Sequence, residues 1–286
     1  MPQVINTNLV SLNAQRNLGA TNTQVATSIQ RLSSGLRVNS AKDDAAGMAI
    51  AERMQSQIKG MNVAMRNAND GISFGQVAEG ALGKMGEMMQ RMRELAVQSA
   101  NGTNSDADRA NLDAEFQQLA AESSRTIQNT RFNGFAVLAS ATPNTFHIGA
   151  GNDANDRITM ASVDMTTAPS MVAILNFETP PAAAGPVNIL SQESSQTVMG
   201  QIDAALTAIN SERANFGAIQ NRFEAVIGNL QVAAENQTAA RSRIMDADFA
   251  AETAALTRAQ VLQQAGTAML AQANQIPSNV LQLLQG

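Results

Sequence analysis

Large apolar residues recur at helical spacing over most of the chain. The spacing predicts one long helix that ends near Asp70-Gly71, a second that ends at the Asn101-Gly102 turn, and a third that begins after Ser105. In the C-terminal half, five apolar residues recur at a strict interval of seven, which predicts a partner helix packed as in a coiled coil. They are Ile202, Ile209, Phe216, Phe223 and Leu230.

The helical period disappears between about residues 132 and 196. Five of the seven prolines fall in this stretch, and two β-like segments, residues 145–148 and 157–160, flank a glycine-rich turn. We therefore predict a mainly α fold, in which a long helical bundle or coiled coil is made from both chain termini and a small β-hairpin region lies in the middle.

Both ends of the chain keep the helical period but carry almost no charge. Arg16 is the only ionisable side chain among the first 30 residues, and none occurs from position 259 onward. Gln, Asn, Ser and Thr interrupt the apolar runs, so neither end has the pattern of a signal peptide or a membrane span. A helix in water normally carries Lys and Glu, so an uncharged polar face favours a helix with other helices as neighbours.

Apolar residues at heptad spacing mark the expected seams of these terminal helices. Pro277 is expected to kink or restart the last helix. The predicted seam residues are Leu18, Val25, Ile29, Leu32 and Leu36 near the N-terminus and Leu262, Met269, Ile276, Val280 and Leu283 near the C-terminus.

Composition argues against nucleic-acid binding and most catalysis. The chain has 286 residues, a formal charge of −5, no cysteine and one histidine. We interpret His147 as structural or solvated, Asp43-Asp44 as a helix start rather than a metal pair, and residues 149–153 as a turn rather than a calcium site. The methionines of residues 48–92 are expected to fill a core. No catalytic residue, metal or cofactor is predicted.

Several segments resemble the bacterial flagellin family. Residues 30–51 (QRLSSGLRVNSAKDDAAGMAIA) resemble the N-terminal signature of the family, and residues 244–286 resemble its C-terminal signature. Further matches are RNANDGI at 66–72, QRMRELAVQSAN at 90–101 and RFNGFAVL at 131–138. The likeness covers roughly residues 1–138 and 198–286, and the short segment between them indicates a minimal flagellin.

The resemblance implies three regions. Residues 1–44 with 245–286 would form an inner terminal coiled coil, 45–140 with 187–244 an outer helical bundle, and 141–186 a short β or irregular region at the outer surface. It also implies a secreted, extracellular structural protein that self-assembles into the filament used for swimming. Such a subunit is exported unfolded, and its termini fold on polymerisation.

The expected partners follow from the same resemblance. They are identical subunits, the flagellar cap and hook–filament junction proteins, and an export chaperone at the C-terminus, with no nucleic acid and no membrane. The alternatives are a hook–filament junction protein and, from another class, a secreted helical adhesin. The long signature at residues 30–47 favours flagellin, and the presence of only three lysines argues against a basic adhesive surface.

Host receptors are also implied partners. Arg91, Leu95 and Glu115 match the positions through which similar flagellins contact an animal Toll-like receptor. The segment 30–51 resembles the epitope sensed by plant pattern receptors. The residues expected to act there are Gln30, Arg31, Ser40, Lys42, Asp43, Asp44 and Gly47.

Overall fold

The computed structural model describes residues 7–161, 164–175, 177 and 187–285, with side chains described up to residue 275. The helices are Leu9–Ser34 (α1), Ala45–Ser99 (α2), Asp106–Asn129 (α3), Pro169–Val172 (α4), Gln192–Met245 (α5) and Phe249–Gln285 (α6), and the strands are Arg131–Phe132 (β1), Phe135–Ala136 (β2), Asn144–His147 (β3) and Arg157–Met160 (β4). Strand β1 pairs antiparallel with β2, and β3 pairs antiparallel with β4. The mainly α fold with a small β-hairpin region is confirmed.

The break predicted near Asp70-Gly71 is wrong, because α2 runs for 55 residues without interruption. Gly71 is needed there for packing. A Cβ atom added to it would lie 2.6 Å from Cζ of Phe223, a ring on α5 that is 0% exposed. The Asp70-Gly71 dipeptide therefore does not end a helix. Its glycine instead allows two helices to approach closely.

The chain divides into two compact units. The central unit is Gln57–Ala234, and the terminal unit comprises Met1–Ser56 and Glu235–Gly286. These limits fall inside α2 and α5, about ten residues from the predicted boundaries at 44/45 and 244/245. The predicted boundaries coincide with the start of α2 and the end of α5. The predicted three-region division itself remains a prediction.

The central unit contains a continuous hydrophobic core. Helices α2, α3 and α5 and strand β4 contribute to it, and the residues spaced by seven on α5 from Ile202 to Phe223 are buried as expected. The methionines predicted to fill the core do so at Met85, Met89 and Met92. The largest fully buried side chains are Phe116, Phe223, Leu82, Met85, Met89, Met92, Leu95, Ile127, Leu138, Ile158, Met160 and Met165.

Side chains fix the turn between α2 and α3. The buried guanidinium of Arg109 donates hydrogen bonds to the carbonyl oxygens of Ser99 and Asn101, which satisfies carbonyl groups left free where α2 ends. Ser105 and Asp108 form a capping box at the start of α3, where the sequence predicted a helix start.

The second β-hairpin lies where the sequence placed it. In the β3–β4 pair, Asn144 lies opposite Met160 at one end and His147 lies opposite Arg157 at the other. This confirms the two predicted strand segments to within one residue. Phe146 of β3 makes edge-to-face contacts with Phe74 of α2 and Phe223 of α5, with ring centroids 6.0 and 5.6 Å apart. The hairpin is thereby part of the core of the central unit.

We expect Gly71→Ala to destabilise the central unit by about 1–3 kcal/mol, because the added methyl group overpacks the site against Phe223. Gly80→Ala is the matched control, since a Cβ at Gly80 meets nothing within 4 Å. That control should raise stability by up to about 1 kcal/mol through helix propensity. Urea unfolding followed by circular dichroism measures both, and equal midpoints for the two variants would contradict the packing role of Gly71.

Candidate functional site

Helices α1 and α6 of the terminal unit lie side by side in antiparallel orientation. At one end, the Asn8 amide donates to the carbonyl oxygen of Ala273, and the Ser11 hydroxyl donates to the Asn274 side chain, both at 2.8 Å. At the other end, Arg31 lies 3.6 Å from Glu252. Neutral polar groups therefore make hydrogen bonds between the two helices at one end, and an ion pair joins them at the other.

The seam between these helices has a regular heptad spacing, and small or polar residues occupy most of it. Four of its residues, Ser11, Ser28, Ala259 and Ala273, are buried, and none of them has a large side chain. A Cβ on Gly266 would lie only 3.3 Å from Leu18, so the helices approach closely there. The seam positions are Ser11, Ala14, Leu18, Thr21, Val25, Ser28 and Leu32 on α1, and Glu252, Leu256, Ala259, Gln263, Gly266, Leu270 and Ala273 on α6.

Larger apolar side chains of the same two helices are exposed. Leu262 is 51% exposed and Met269 is 64% exposed, and their separation of seven residues puts them on one stripe of α6. Monomeric proteins seldom leave so many large apolar side chains of two paired helices in water. We call the following residues the exposed apolar set: Leu9, Val10, Leu12, Ile29, Phe249, Val261, Leu262 and Met269.

The predicted seam residues therefore fall into separate groups. Leu18, Val25 and Leu32 are half-buried in the α1–α6 seam, whereas Ile29, Leu262 and Met269 point away from it. Leu36 lies beyond α1, in the bend described below. Ile276, Val280 and Leu283 lie outside the part of the chain whose side chains are described. α6 itself continues through Pro277 to Gln285, so the helix does not restart there.

Two buried small residues of the seam, Ser28 and Ala259, were not among the predicted seam positions, although they recur at the heptad interval. The signal that could find them is the heptad recurrence of Ser, Ala, Thr and Gly beside the large apolar residues.

The terminal unit has two bends, a first bend at residues 35–44 between α1 and α2 and a second at residues 246–248 between α5 and α6. Main-chain hydrogen bonds join these two bends. The amide of Arg37 donates to the carbonyl oxygen of Met245 at 2.6 Å, and the amide of Ala247 donates to that of Gly35 at 2.9 Å. Gly35 adopts a left-handed conformation with φ of 72°, which ends α1 at this point. Val38 and Met245 pack together beneath these bonds with Ala51. The breaks between α1 and α2 and between α5 and α6 thus stabilise each other.

Two aspartates organise the first bend. Asp43 accepts hydrogen bonds from the amides of Asn39 and Ser40 and from the Ser40 hydroxyl, and these bonds hold the pKa of the Asp43 carboxyl below its ordinary value. Asp44 accepts the amide of Gly47 at 2.8 Å and so caps the start of α2, which is the helix-start role predicted for this pair.

The residues of the predicted plant-receptor epitope differ in accessibility. Gln30 and Lys42 are exposed, Arg31 and Ser40 are half-buried, and Gly47 is buried. Together with Asp43 and Asp44, most of these residues have contacts within the terminal unit. Their role in receptor binding remains a prediction.

Of the predicted animal-receptor residues, two are accessible. The Arg91 guanidinium lies 2.8 Å from Glu115 and 3.0 Å from Glu94, and all three side chains are about half exposed or more. Leu95 is 1% exposed and belongs to the core of the central unit. A direct contact through Leu95 does not fit this burial, because its side chain faces the helices that pack beneath Arg91.

The β3–β4 connection is filled by its own side chains. The Asp156 carboxylate accepts the amide of Asp153 at 3.1 Å and leaves no room for a Cβ at Gly149 or Gly151. His147 Nε2 lies 3.0 Å from the carbonyl oxygen of Gly151. These contacts give His147 and the loop a structural role. In the described residues, no group of acidic, histidine or cysteine side chains is placed to hold a metal ion, and no helix is long and apolar enough to cross a membrane.

Two family models match the chain. The model of the bacterial flagellin N-terminal helical region matches residues 5–142, and the model of the bacterial flagellin C-terminal helical region matches residues 199–284. The matched ranges include all of the described helices except α4 and the first residues of α5.

Full-length relatives agree with these family models. The chain is 44% identical over 293 residues to the flagellar filament 33 kDa core protein of Treponema phagedenis, an alignment that covers 99% of this chain and 100% of that protein. It is 45% identical over 282 residues to a flagellin of Halalkalibacterium halodurans, again covering 99% of this chain and 100% of the relative.

We expect the stability of the first bend to depend on pH through Asp43. Because the pKa of Asp43 is lowered in the folded state, its stabilisation is complete above the ordinary carboxyl range and is lost as pH falls through the lowered value. Ser40→Ala removes the hydroxyl donor at 3.0 Å and should raise the pKa of Asp43 toward its ordinary value. An NMR titration of the Asp43 carboxyl carbon measures the shift, with Ser33→Ala on α1 as the control. An unchanged pKa in Ser40→Ala would contradict this account of the bend.

Proposed function

This chain belongs to the bacterial flagellin family and is a structural subunit of the extracellular flagellar filament, and we propose that the exposed apolar set of α1 and α6 is the surface on which its copies polymerise. The family consists of structural proteins rather than enzymes, and we expect no catalysis from this chain. The alternative of a junction protein or an adhesin is not favoured by relatives that are flagellins and filament core proteins.

The observation that carries the proposal is the exposure of large apolar side chains on the terminal helices. The fully buried seam residues of α1 and α6 are the small Ser11, Ser28, Ala259 and Ala273, while Leu262 and Met269 remain more than half exposed. Burying a leucine or methionine side chain contributes about 1.5–3 kcal/mol. Contact with another copy would therefore add apolar burial that the single subunit does not supply.

The absence of charge on α6 beyond Arg258 supports a contact between identical chains. Beyond Arg258, α6 carries no ionisable side chain, so copies of it can pack together without like-charge repulsion or the cost of burying a charge. Neutral Gln, Asn, Ser and Thr side chains form hydrogen bonds between such helices, as the amide of Gln263 does with Asn22 at 2.8 Å.

We further propose that the terminal helices reach full stability only in the filament. Isolated helices are marginal in water unless packing stabilises them, and the α1–α6 seam buries few large apolar groups. Export of the chain in an unfolded state is compatible with such termini and with the absence of cysteine, since a disulfide loop would obstruct threading. The proposed partners during this process are an export chaperone at the C-terminus and the flagellar cap and hook–filament junction proteins.

Recognition by host receptors is a separate proposal. Arg91 and Glu115 form an exposed ion pair on the central unit, to which an animal Toll-like receptor would bind. Leu95 would act by packing beneath this surface rather than by touching the receptor. Binding of the residue 30–51 segment by a plant receptor would require release of the bonds that Asp43 and Asp44 make in the folded bend.

We expect Leu262→Gln to prevent or strongly slow filament growth, because an exposed leucine that becomes buried between subunits is replaced by a polar amide. Val172→Gln is the matched control, since Val172 is also exposed but lies on α4 of the central unit. Regrowth of filaments from dissociated subunits, followed by sedimentation and electron microscopy, measures the effect. The control should polymerise normally, and normal growth of Leu262→Gln would rule out the proposed surface.

We expect Arg91→Ala to reduce activation of a Toll-like receptor reporter while the thermal stability of the subunit stays near that of the wild type, because Arg91 is exposed. Leu95→Ala should lower the response through a loss of about 2–5 kcal/mol of stability. Lys84→Ala removes a comparable exposed ion pair and serves as the control. A full response from Arg91→Ala would exclude this residue as a receptor contact.

A further inference from the structure

The methionines of this protein are unequally exposed. The chain has 15 methionines, and Met1 lies outside the described residues. Among the others, Met85, Met89, Met92, Met160, Met165 and Met171 are at most 1% exposed, and the remainder are buried or half-buried with the exception of Met269. Met269 is 64% exposed. Among the described residues, the thioether of Met269 is therefore far more accessible to an oxidant in solution than the other thioethers.

Met269 also lies within the exposed apolar set. Leu262 precedes it by seven residues on the same stripe of α6, and Val261 is 58% exposed beside that stripe. No charged side chain occurs on α6 beyond Arg258. Because methionine is flexible and polarisable, its side chain can adapt to an apolar neighbour, but only while the sulfur remains a thioether.

We propose that Met269 is an oxidation site through which hydroperoxides control whether a free subunit can join the filament. The inference rests on the proposed polymerisation surface and adds a chemical modification to it. Oxidation converts an apolar side chain of this surface into a polar one, and a subunit modified in this way joins the filament poorly. Reduction of the sulfoxide restores the subunit.

The reaction needs no group from the protein other than the thioether. The sulfur of Met269 attacks one oxygen of the hydroperoxide, the O–O bond breaks, and an S–O bond forms. The sulfur is oxidised by two electrons to the sulfoxide, and the peroxide is reduced to water or to an alcohol after proton transfer from solvent. Reduction of the sulfoxide by a thiol-dependent reductase reverses the change.

Assembly would protect the site that the free subunit exposes. In the filament a neighbouring copy covers Met269, whereas the core methionines are protected in the free subunit and the polymer alike. The modification would therefore act on folded subunits that have dissociated from a filament and would leave finished filament intact. Its effect depends on the time that a dissociated subunit spends outside the filament.

The test treats dissociated subunits and intact filaments with dilute hydrogen peroxide and maps methionine sulfoxide by peptide mass spectrometry. We expect Met269 in free subunits to oxidise about ten times faster than in filaments or than Met85 and Met171 in either form. Oxidised subunits should show a critical concentration for filament growth raised about tenfold, as expected when a polar group without a partner is buried. Methionine sulfoxide reductase should reverse the increase.

Two variants separate the possible outcomes. Met269→Leu should polymerise normally both before and after peroxide, whereas Met199→Leu, which alters a half-buried methionine of the central unit, should remain as sensitive as the wild type. Equal loss of growth in peroxide-treated Met269→Leu would assign the effect to another methionine and overturn the inference. Normal growth of wild-type subunits oxidised at Met269 would also overturn it. Equally rapid oxidation of Met269 in filaments would instead contradict the polymerisation surface on which the inference rests.

Discussion

The close approach of α1 and α6 through small side chains is the constraint on which the terminal unit depends. Serine and alanine at Ser28, Ala259 and Ala273 let the two helices meet, but they bury little apolar surface in doing so. Other large residues of the same helices, such as Leu262 and Met269, lie outside this seam and are more than half exposed in the single subunit. The pairing of α1 and α6 therefore leaves apolar surface uncovered, and this is the surface that we propose identical copies bury.

The two compact units thus obtain their stability from different sources. The central unit buries phenylalanine, leucine and methionine in one continuous core, with Phe116 and Phe223 fully enclosed, as an ordinary soluble domain does. Among its described residues, the terminal unit has a small apolar cluster at its bends, around Val38 and Met245, and a seam in which the fully buried residues are small. Main-chain bonds between its two bends hold the helix breaks in register, together with the packing of Val38 against Met245 beneath them.

Much of the fold was predictable because periodicity reports which positions are buried. The run of five apolar residues on α5 and the two strands at residues 144–160 follow from spacing and turn composition alone. Ser28 and Ala259 of the α1–α6 seam are not evident from the sequence, because a search for large apolar side chains does not select small residues. Gly71 was misinterpreted as a helix end, since the spacing of one helix does not reveal the shape of the surface packed against it.

The uncharged length of α6 has a consequence for the medium in which a filament works. Dissolved salt weakens attractions between exposed charges, with a screening distance of about 8 Å at 0.15 M. Residues 259–285 carry no ionisable side chain, so salt has no charge of theirs to screen when fresh water is replaced by sea water. Sulfate and similar ions that are excluded from protein surfaces strengthen apolar burial further. Outside the cell, where ionic strength is not regulated, the interactions of this segment therefore depend little on salinity.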